Sequence, residues 1–163
     1  MLPDVETILK LVLIGIGATI CMDIWAQTLK RLFNVQALNW GLVGRWIANM
    51  PKGQFIHTNI LKATPHEYEN ALGWGAHYGV GIVFAFGFAF HSGLEWVTGP
   101  DALSAWLFGI STVVFPFFIM QPGLGLGIAA SKTPDPVKGR FLSCLAHSVF
   151  GLGMFGTAWL LAL

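Results

Sequence analysis

Four long apolar segments dominate the pattern of this chain, at about residues 7–29, 70–90, 102–131 and 141–163. Each is long enough to cross a bilayer as a helix, which takes about 20 residues. The stretch from Asn70 to Gly93 contains no Lys, Arg, Asp or Glu. The pattern therefore predicts one all-α transmembrane domain over residues 1–163, built as a bundle of four helices.

The second segment begins with a glycine-rich run from Gly73 to Gly81. Gly75 and Gly79 are four positions apart, so on a helix they leave two bare backbone patches one turn apart. Small residues at this spacing let membrane helices approach each other closely. We expect another helix to pack at this pair, with His77 inside the packed zone.

The third segment is interrupted by Pro116 and Pro122 and continues into a glycine-rich end that reaches Ser131. Proline removes a backbone donor from a helix, so the pattern predicts a kink or a break. Irregular backbone at membrane depth occurs where it is buried in protein or lines a wet cavity. Both a kinked helix with a tightly packed end and a substrate-lining break fit this segment.

The basic residues are segregated between the loops. Eight of the nine lie between the first and second segments or between the third and fourth, and residues 91–101 contain Glu95 and Asp101 but no Lys or Arg. The positive-inside rule then places both basic loops in the cytosol and both termini on the outer, periplasmic side. In the first of these loops, residues 37–50 place Trp40 and Trp46 beside Arg45, which predicts a short helix at the headgroup boundary.

Composition narrows the class of protein further. Hydrophobic residues make up 55% of the chain and charged residues 10%, against about 25% charged in soluble domains. A net charge of +1 without a basic patch excludes a nucleic-acid partner. Asp4 and Glu6 replace the basic start of a secretion signal, so we expect no cleaved signal peptide. Cys21 and Cys144 lie within apolar segments and predict no disulfide.

Three ionisable residues lie at one depth in different helices. Asp23, His77 and His147 are each seven positions inside the cytosolic end of their segment, about 10 Å along a helix. Ionisable groups inside a bilayer are costly and usually face a partner or a wet cavity, so they suggest a functional site. His can change charge near neutral pH, so the three side chains could bind a ligand or relay protons. A purely structural network, with Asp23 accepting a hydrogen bond from a neutral histidine, is the alternative.

A metal site is a second interpretation of the same residues. Cys144 and His147 are three positions apart and share a helix face. Asp23, His77, Cys144 and His147 together would suit zinc or a similar divalent ion. One haem between His77 and His147 is a further possibility, because nearby glycines leave room for the ring.

Other polar residues have weaker claims. Arg45 could close the site from the cytosol or pair with a lipid phosphate, and His57 and Glu67 could form a gate or a second ligand set. Ordinary solvated loop charges are the simpler explanation for the latter two. No catalytic residue is predicted, because neither Ser143 nor Ser148 has the surroundings of a nucleophile elbow.

A set of short motifs is spread along the chain: Met22-Asp23, Gly44-Arg45-Trp46, His57, Gly73-Trp74 with His77-Tyr78, Gln121-Pro122 leading to Gly127-Ile128-Ala129-Ala130-Ser131-Lys132, and His147 with Phe150-Gly151. In these residues the chain resembles the bacterial membrane family called domain of unknown function 2938. The resemblance covers nearly the whole chain. It implies a small inner-membrane protein with four helices and supplies no activity, cofactor or substrate.

Together these observations predict a small inner-membrane protein whose polar site, near the cytosolic side, binds or transports a cation or a proton. The alternatives are a metal- or haem-binding redox subunit or enzyme, and a structural or assembly subunit of a larger membrane complex. Expected partners are the lipid bilayer and a small ion or ligand. Four helices are few for a complete transporter, so a homo-oligomer is also expected under the first two interpretations.

Overall fold

The computed structural model describes residues 3–163, which form six α-helices and no strand. The helices are α1 (Val5–Phe33), α2 (Trp40–Asn49), α3 (Glu69–Ser92), α4 (Ala102–Ser111), α5 (Gln121–Leu124) and α6 (Pro136–Ala162). Four stretches are long and apolar enough to cross a membrane: Val5–Phe33, Glu69–Ser92, Ala102–Leu124 and Pro136–Ala162. The predicted all-α class with four spanning segments is confirmed.

The first helix is longer than its apolar segment because both ends are capped by polar residues. The Asp4 carboxylate accepts a hydrogen bond from the Thr7 backbone N–H at 2.8 Å. At the other end, Lys30 and Arg31 occupy the last turn, where cations suit the helix dipole. Asn34 then adopts a left-handed conformation with φ 53° and stops the helix.

The third span changes helix type along its length. Regular α-helix runs to Ser111 in α4, a π-helical turn occupies Pro116–Met120, and α5 resumes at Gln121. Gly125 has φ 88°, a left-handed conformation that ends α5 at Leu124. The spanning helix therefore stops before the predicted limit at Ser131. A bend of its axis stays a prediction.

The predicted short helix in the first loop is present as α2. Its start is fixed by Asn39, whose side-chain oxygen accepts a hydrogen bond from the Gly41 N–H at 2.9 Å. A 3₁₀ turn with Pro51 follows it and ends at Gly53, which has φ 76°. A location of α2 at the headgroup boundary stays a prediction.

The chain divides into two compact units, so one single domain stays a prediction. The first unit contains α1, the part of α3 from Tyr78, α4, and α6 from Leu145. Its core includes Leu11, Ile14, Ala18, Phe88, Phe150 and Met154. The Phe84 ring contacts the rings of Phe108 and Phe150 at centroid distances of 6.5 and 6.1 Å.

Close glycine contacts set the helix directions in the first unit. A methyl group on Gly15 would lie 2.5 Å from the Ile82 Cα, and one on Gly153 would lie 3.0 Å from the Ala18 Cα. Gly17 faces Thr157, so residue numbers rise along α1 as they fall along α6. The bond between Asp23 and Tyr78, taken with the contact at Gly15, shows the same direction for α3. The helices α3 and α6 are therefore each antiparallel to α1 and parallel to one another.

The second unit contains α2, the start of α3 up to His77, and residues 113–144. Its small core is formed by Val43, Trp46, Ile60 and Leu124. In this unit α2 lies directly on the backbone of α3, because a methyl group on Gly44 would overlap the Glu69 carbonyl oxygen and one on Gly73 would overlap that of Trp40.

The expected packing at Gly75 and Gly79 is not found among residues 3–163. A methyl group on either glycine would have nothing within 4 Å, whereas Gly73 and Gly81 both touch other segments. Gly73 and Gly81 are eight positions apart and share a helix face, and Gly75 lies two positions, or about 200°, away from Gly73. The glycine-rich run therefore packs through the face that carries Gly73 and Gly81, and not through the face that carries Gly75 and Gly79.

This difference between glycines on one helix gives a direct test. We expect Gly73→Ala to destabilise the protein by about 3 kcal/mol, since its methyl group has only backbone to displace. The control Gly79→Ala should change stability by less than about 1 kcal/mol, because it enters open space and alanine favours a helix. Thermal unfolding in detergent measures both. Equal effects of the two substitutions would contradict the described contact between α2 and α3.

Candidate functional site

An ionisable pair joins α1 to α3 within the first unit. The Tyr78 hydroxyl donates a hydrogen bond to Oδ2 of Asp23 at 2.8 Å, and both side chains are partly buried. The glycine contact one turn away makes this bond possible, because a methyl group on Gly81 would overlap the Thr19 hydroxyl oxygen. Thr19 and Gly81 are a turn from Asp23 and Tyr78 on the same helices. Close backbone approach therefore positions the carboxylate against the phenol.

A shallow groove of about 350 Å³ lies beside Asp23 on the surface of α1. Its other lining residues are Ile24, Gln27, Thr28 and Arg31. Asp23 and Arg31 are separated by about 12 Å along the helix, so the groove extends from the carboxylate to the last turn of α1. Polar side chains therefore line the groove from Asp23 to the last turn of α1.

A second ionisable residue, His147 on α6, contacts a buried hydroxyl from α4. The Thr112 hydroxyl oxygen lies 2.7 Å from Nδ1 of His147 and 2.6 Å from the Gly109 carbonyl oxygen. A carbonyl oxygen cannot donate, so the single Thr112 proton goes to Gly109. The bond to the histidine therefore uses a proton on Nδ1.

The two ionisable pairs lie at similar levels of the first unit. Tyr78 is six positions before Phe84 on α3, and His147 is three positions before Phe150 on α6. Because the rings of Phe84 and Phe150 are in contact and the two helices are parallel, Tyr78 and His147 differ by only about 4.5 Å along the bundle. The predicted common depth of Asp23, His77 and His147 stays a prediction.

His77 belongs to the second unit and has an aromatic neighbour. Its ring stacks on Trp40 with a centroid distance of 3.8 Å and an interplanar angle of 20°, and the Trp74 ring centroid lies 5.9 Å away. This arrangement places the imidazole between the start of α3 and the first turn of α2. Its role as a ligand or relay residue stays a prediction.

The predicted metal site finds no support. Residues 3–163 contain no group of three or more His, Cys, Asp or Glu side chains that could hold a metal ion. Within that range Asp23 is bonded to Tyr78 and His147 to Thr112, while Cys144 is a free thiol on α6. The alternative of one haem between His77 and His147 stays a prediction.

Arg45 is engaged inside the second unit. Its Nε and Nη2 donate to the two carboxylate oxygens of Glu69 at 2.7 and 2.9 Å, and Nη1 donates to the Ala63 carbonyl oxygen at 3.1 Å. The hydrogen bonds that Arg45 donates to Glu69 raise the pKa of Arg45 above its usual value. This two-point pairing fixes α2 to the start of α3. Glu67, the sequence-based candidate, is exposed.

The sequence interpretation missed the partners in these contacts: Tyr78, Thr112 and Glu69. Tyr78 adjoins His77, and Glu69 comes directly before the uncharged stretch that begins at Asn70. Thr112 lies four positions before Pro116, so the sequence indicates that its backbone carbonyl loses a helical donor but indicates nothing about its side chain. Hydroxyl groups carry no charge, so neither spacing nor charge patterns identify them as partners.

The bond between Thr112 and His147 can be tested by removing its oxygen. Thr112→Val keeps the shape of the side chain but leaves the Nδ1–H of His147 without this acceptor, so we expect a loss of about 1–2 kcal/mol. The control is Ser111→Ala at the neighbouring exposed hydroxyl. In the unaltered protein, ¹⁵N NMR should show a protonated Nδ1 at both low and high pH. A neutral form with its proton on Nε2 would contradict the assigned tautomer.

Comparison with known proteins gives one finding. The model of a family described as "Protein of unknown function (DUF2938)" matches residues 12–161, most of the chain. No curated protein and no solved structure matches it.

Proposed function

We propose that this chain, which belongs to the DUF2938 family of unknown function and has four candidate membrane spans, is a small inner-membrane protein. In this proposal it takes up and relays protons through Asp23 and His147. The observation that carries this proposal is the bond between Asp23 and Tyr78 at 2.8 Å within two of those spans. A carboxyl group at such a position is costly and is typical of proton or ion pathways.

The hydroxyl partner suits a group that changes its protonation state. When Asp23 is ionised, the Tyr78 hydroxyl donates to it; when Asp23 is protonated, the carboxyl group can donate to the same oxygen. The hydrogen bond between α1 and α3 therefore survives in both states.

His147 follows the same logic through a different atom. Its Nδ1–H donates to Thr112 whether the ring is neutral or charged, so the imidazole keeps its orientation while Nε2 exchanges a proton. Thr112 is a positioning residue here, because it fixes the ring and does not itself titrate. Both ionisable groups thus have partners that tolerate a change of charge.

The groove on α1 supplies access in this proposal. The loop that follows α1 holds the first group of basic residues, so the positive-inside rule places this end of α1 in the cytosol and both termini outside. The groove from Arg31 to Asp23 then opens to the cytosol, and Gln27 and Thr28 can bond waters along it. The bacterial inner membrane, with its proton gradient, is the setting that fits this path.

Proton uptake by liposomes containing the purified protein tests the proposal. After an external acid jump, an entrapped pH dye reports the rate of internal acidification. We expect Asp23→Asn to slow the protein-dependent rate by about 100-fold, the order contributed by one positioned acid–base group. Tyr78→Phe should slow it less, because the carboxyl group remains. The control is Asp101→Asn, which alters a carboxylate that caps α4.

Thermal unfolding of the same variants separates function from structure. A folded Asp23→Asn protein with an unchanged protein-dependent rate would show that the proposal is wrong. The carboxylate would then be a structural hydrogen-bond acceptor, as in the alternative interpretation of the sequence.

A further inference from the structure

Two buried polar atoms of the second unit have no hydrogen-bond partner among residues 3–163: Oε1 of Gln121 and Nε2 of His57. Gln121 is only 6% exposed. Buried acceptors and donors in proteins are almost always satisfied, and an orphaned one points to a water, an ion or a ligand. Gln121 is the first residue of α5, and the backbone of His57 is hydrogen-bonded to Gly123 in the same short helix.

The carboxamide of Gln121 has a fixed orientation. Its Nε2 donates to the Ser143 hydroxyl oxygen at 3.4 Å, and the Ser143 hydroxyl donates to the Gly139 carbonyl oxygen at 2.9 Å. Because this hydroxyl has given its only proton to Gly139, it can accept from Gln121 but cannot donate to it. The nitrogen of the amide therefore faces Ser143, and Oε1 faces away as an acceptor without a donor.

His57 is held beside the same turn by its backbone. Its N–H donates to the Gly123 carbonyl oxygen at 3.0 Å, two positions after Gln121. A methyl group on Gly125 would lie 2.7 Å from the His57 carbonyl oxygen and 2.5 Å from that of Thr58, so the glycine permits this contact. The imidazole and the carboxamide thus extend from backbone segments that are hydrogen-bonded to each other.

We propose that Gln121 and His57 bind one small molecule whose hydroxyl or amine group donates to Oε1 of Gln121 and also bonds Nε2 of His57. Water is the smallest molecule of this class, and ammonium or a primary amine is a larger one. Either tautomer of His57 fits, because such a group can donate to the ring nitrogen or, in water or an alcohol, accept from it. The site lies in the second unit and does not depend on proton relay by Asp23.

The sign of a stability change tests this site. Gln121→Met replaces the carboxamide with an apolar chain of similar shape. If Oε1 has no ligand, removing this unsatisfied acceptor should offset the loss of the long bond from Nε2 to Ser143, and the melting temperature should stay unchanged or rise. Removing a ligand contact should lower it by about 5 °C. We expect the decrease, and an unchanged or higher melting temperature would overturn the proposal. Gln54→Met, at an exposed glutamine in the same unit, is the control.

A double variant tests whether the two residues share one ligand. Since either single substitution removes the bridge, Gln121→Met should lower the melting temperature much less in a His57→Phe background than alone. Additive effects would overturn a shared ligand. If Gln121→Met does not fold, His57→Phe alone provides the same test of sign from the other atom.

Ammonium chloride and tetramethylammonium chloride distinguish the possible ligands, since only ammonium has N–H donors. A rise in melting temperature with ammonium alone, lost in Gln121→Met, would assign an amine ligand. A lower melting temperature in Gln121→Met, together with equal melting temperatures of the unaltered protein in the two salts, would assign water or a hydroxyl group.

Discussion

Close backbone contact between helices is the constraint on which the polar interactions of the first unit depend. A tyrosine and an aspartate can share a 2.8 Å bond between α1 and α3 only where the helix axes are near each other. Gly15 and Gly81 provide this, since a side chain on either would collide with the other helix. In a membrane, where apolar surface gains little from burial against protein, such packing and interhelical hydrogen bonds hold helices together. The glycines are therefore the structural basis of the candidate site.

The ionisable residues that join helices have different described partners in the two units. In the second unit, Arg45 and Glu69 form a two-point ion pair, which favours one charge state for each partner and fixes α2 on α3. In the first unit, the described bonds of Asp23 and His147 go to hydroxyl groups, which accept either charge state. An ion pair suits a permanent joint between elements. A hydroxyl partner suits a residue that exchanges protons, and this contrast is why the proposed relay is assigned to the first unit.

The parts of the fold that follow from hydropathy could be predicted from the sequence. Four apolar segments and the helix beginning near Trp40 could be predicted, because length and composition decide whether a segment spans a bilayer. The placement of Asp23 and His147 on two different long helices was also predictable from hydropathy. Their partners were not, because Tyr78 and Thr112 are uncharged and the rotation of each helix depends on which glycines pack. The sequence interpretation assigned the packing to Gly75 and Gly79, whereas Gly73 and Gly81 make the contacts.

The end of the third span shows why an irregular segment can hold a ligand. Proline at positions 116 and 122 and left-handed backbone at Gly125, Ala129 and Ala130 prevent a continuous helix. Alanine reaches this conformation at a cost of about 1 kcal/mol or more, so surrounding contacts must hold it there, and Arg140 donates to the Ala129 carbonyl oxygen at 2.8 Å. A regular helix satisfies its own backbone and leaves its side chains to solvent or neighbours. A broken one takes its hydrogen bonds from other segments, as Gly123 does from His57, and thereby brings polar side chains such as Gln121 into the interior, where they need a partner.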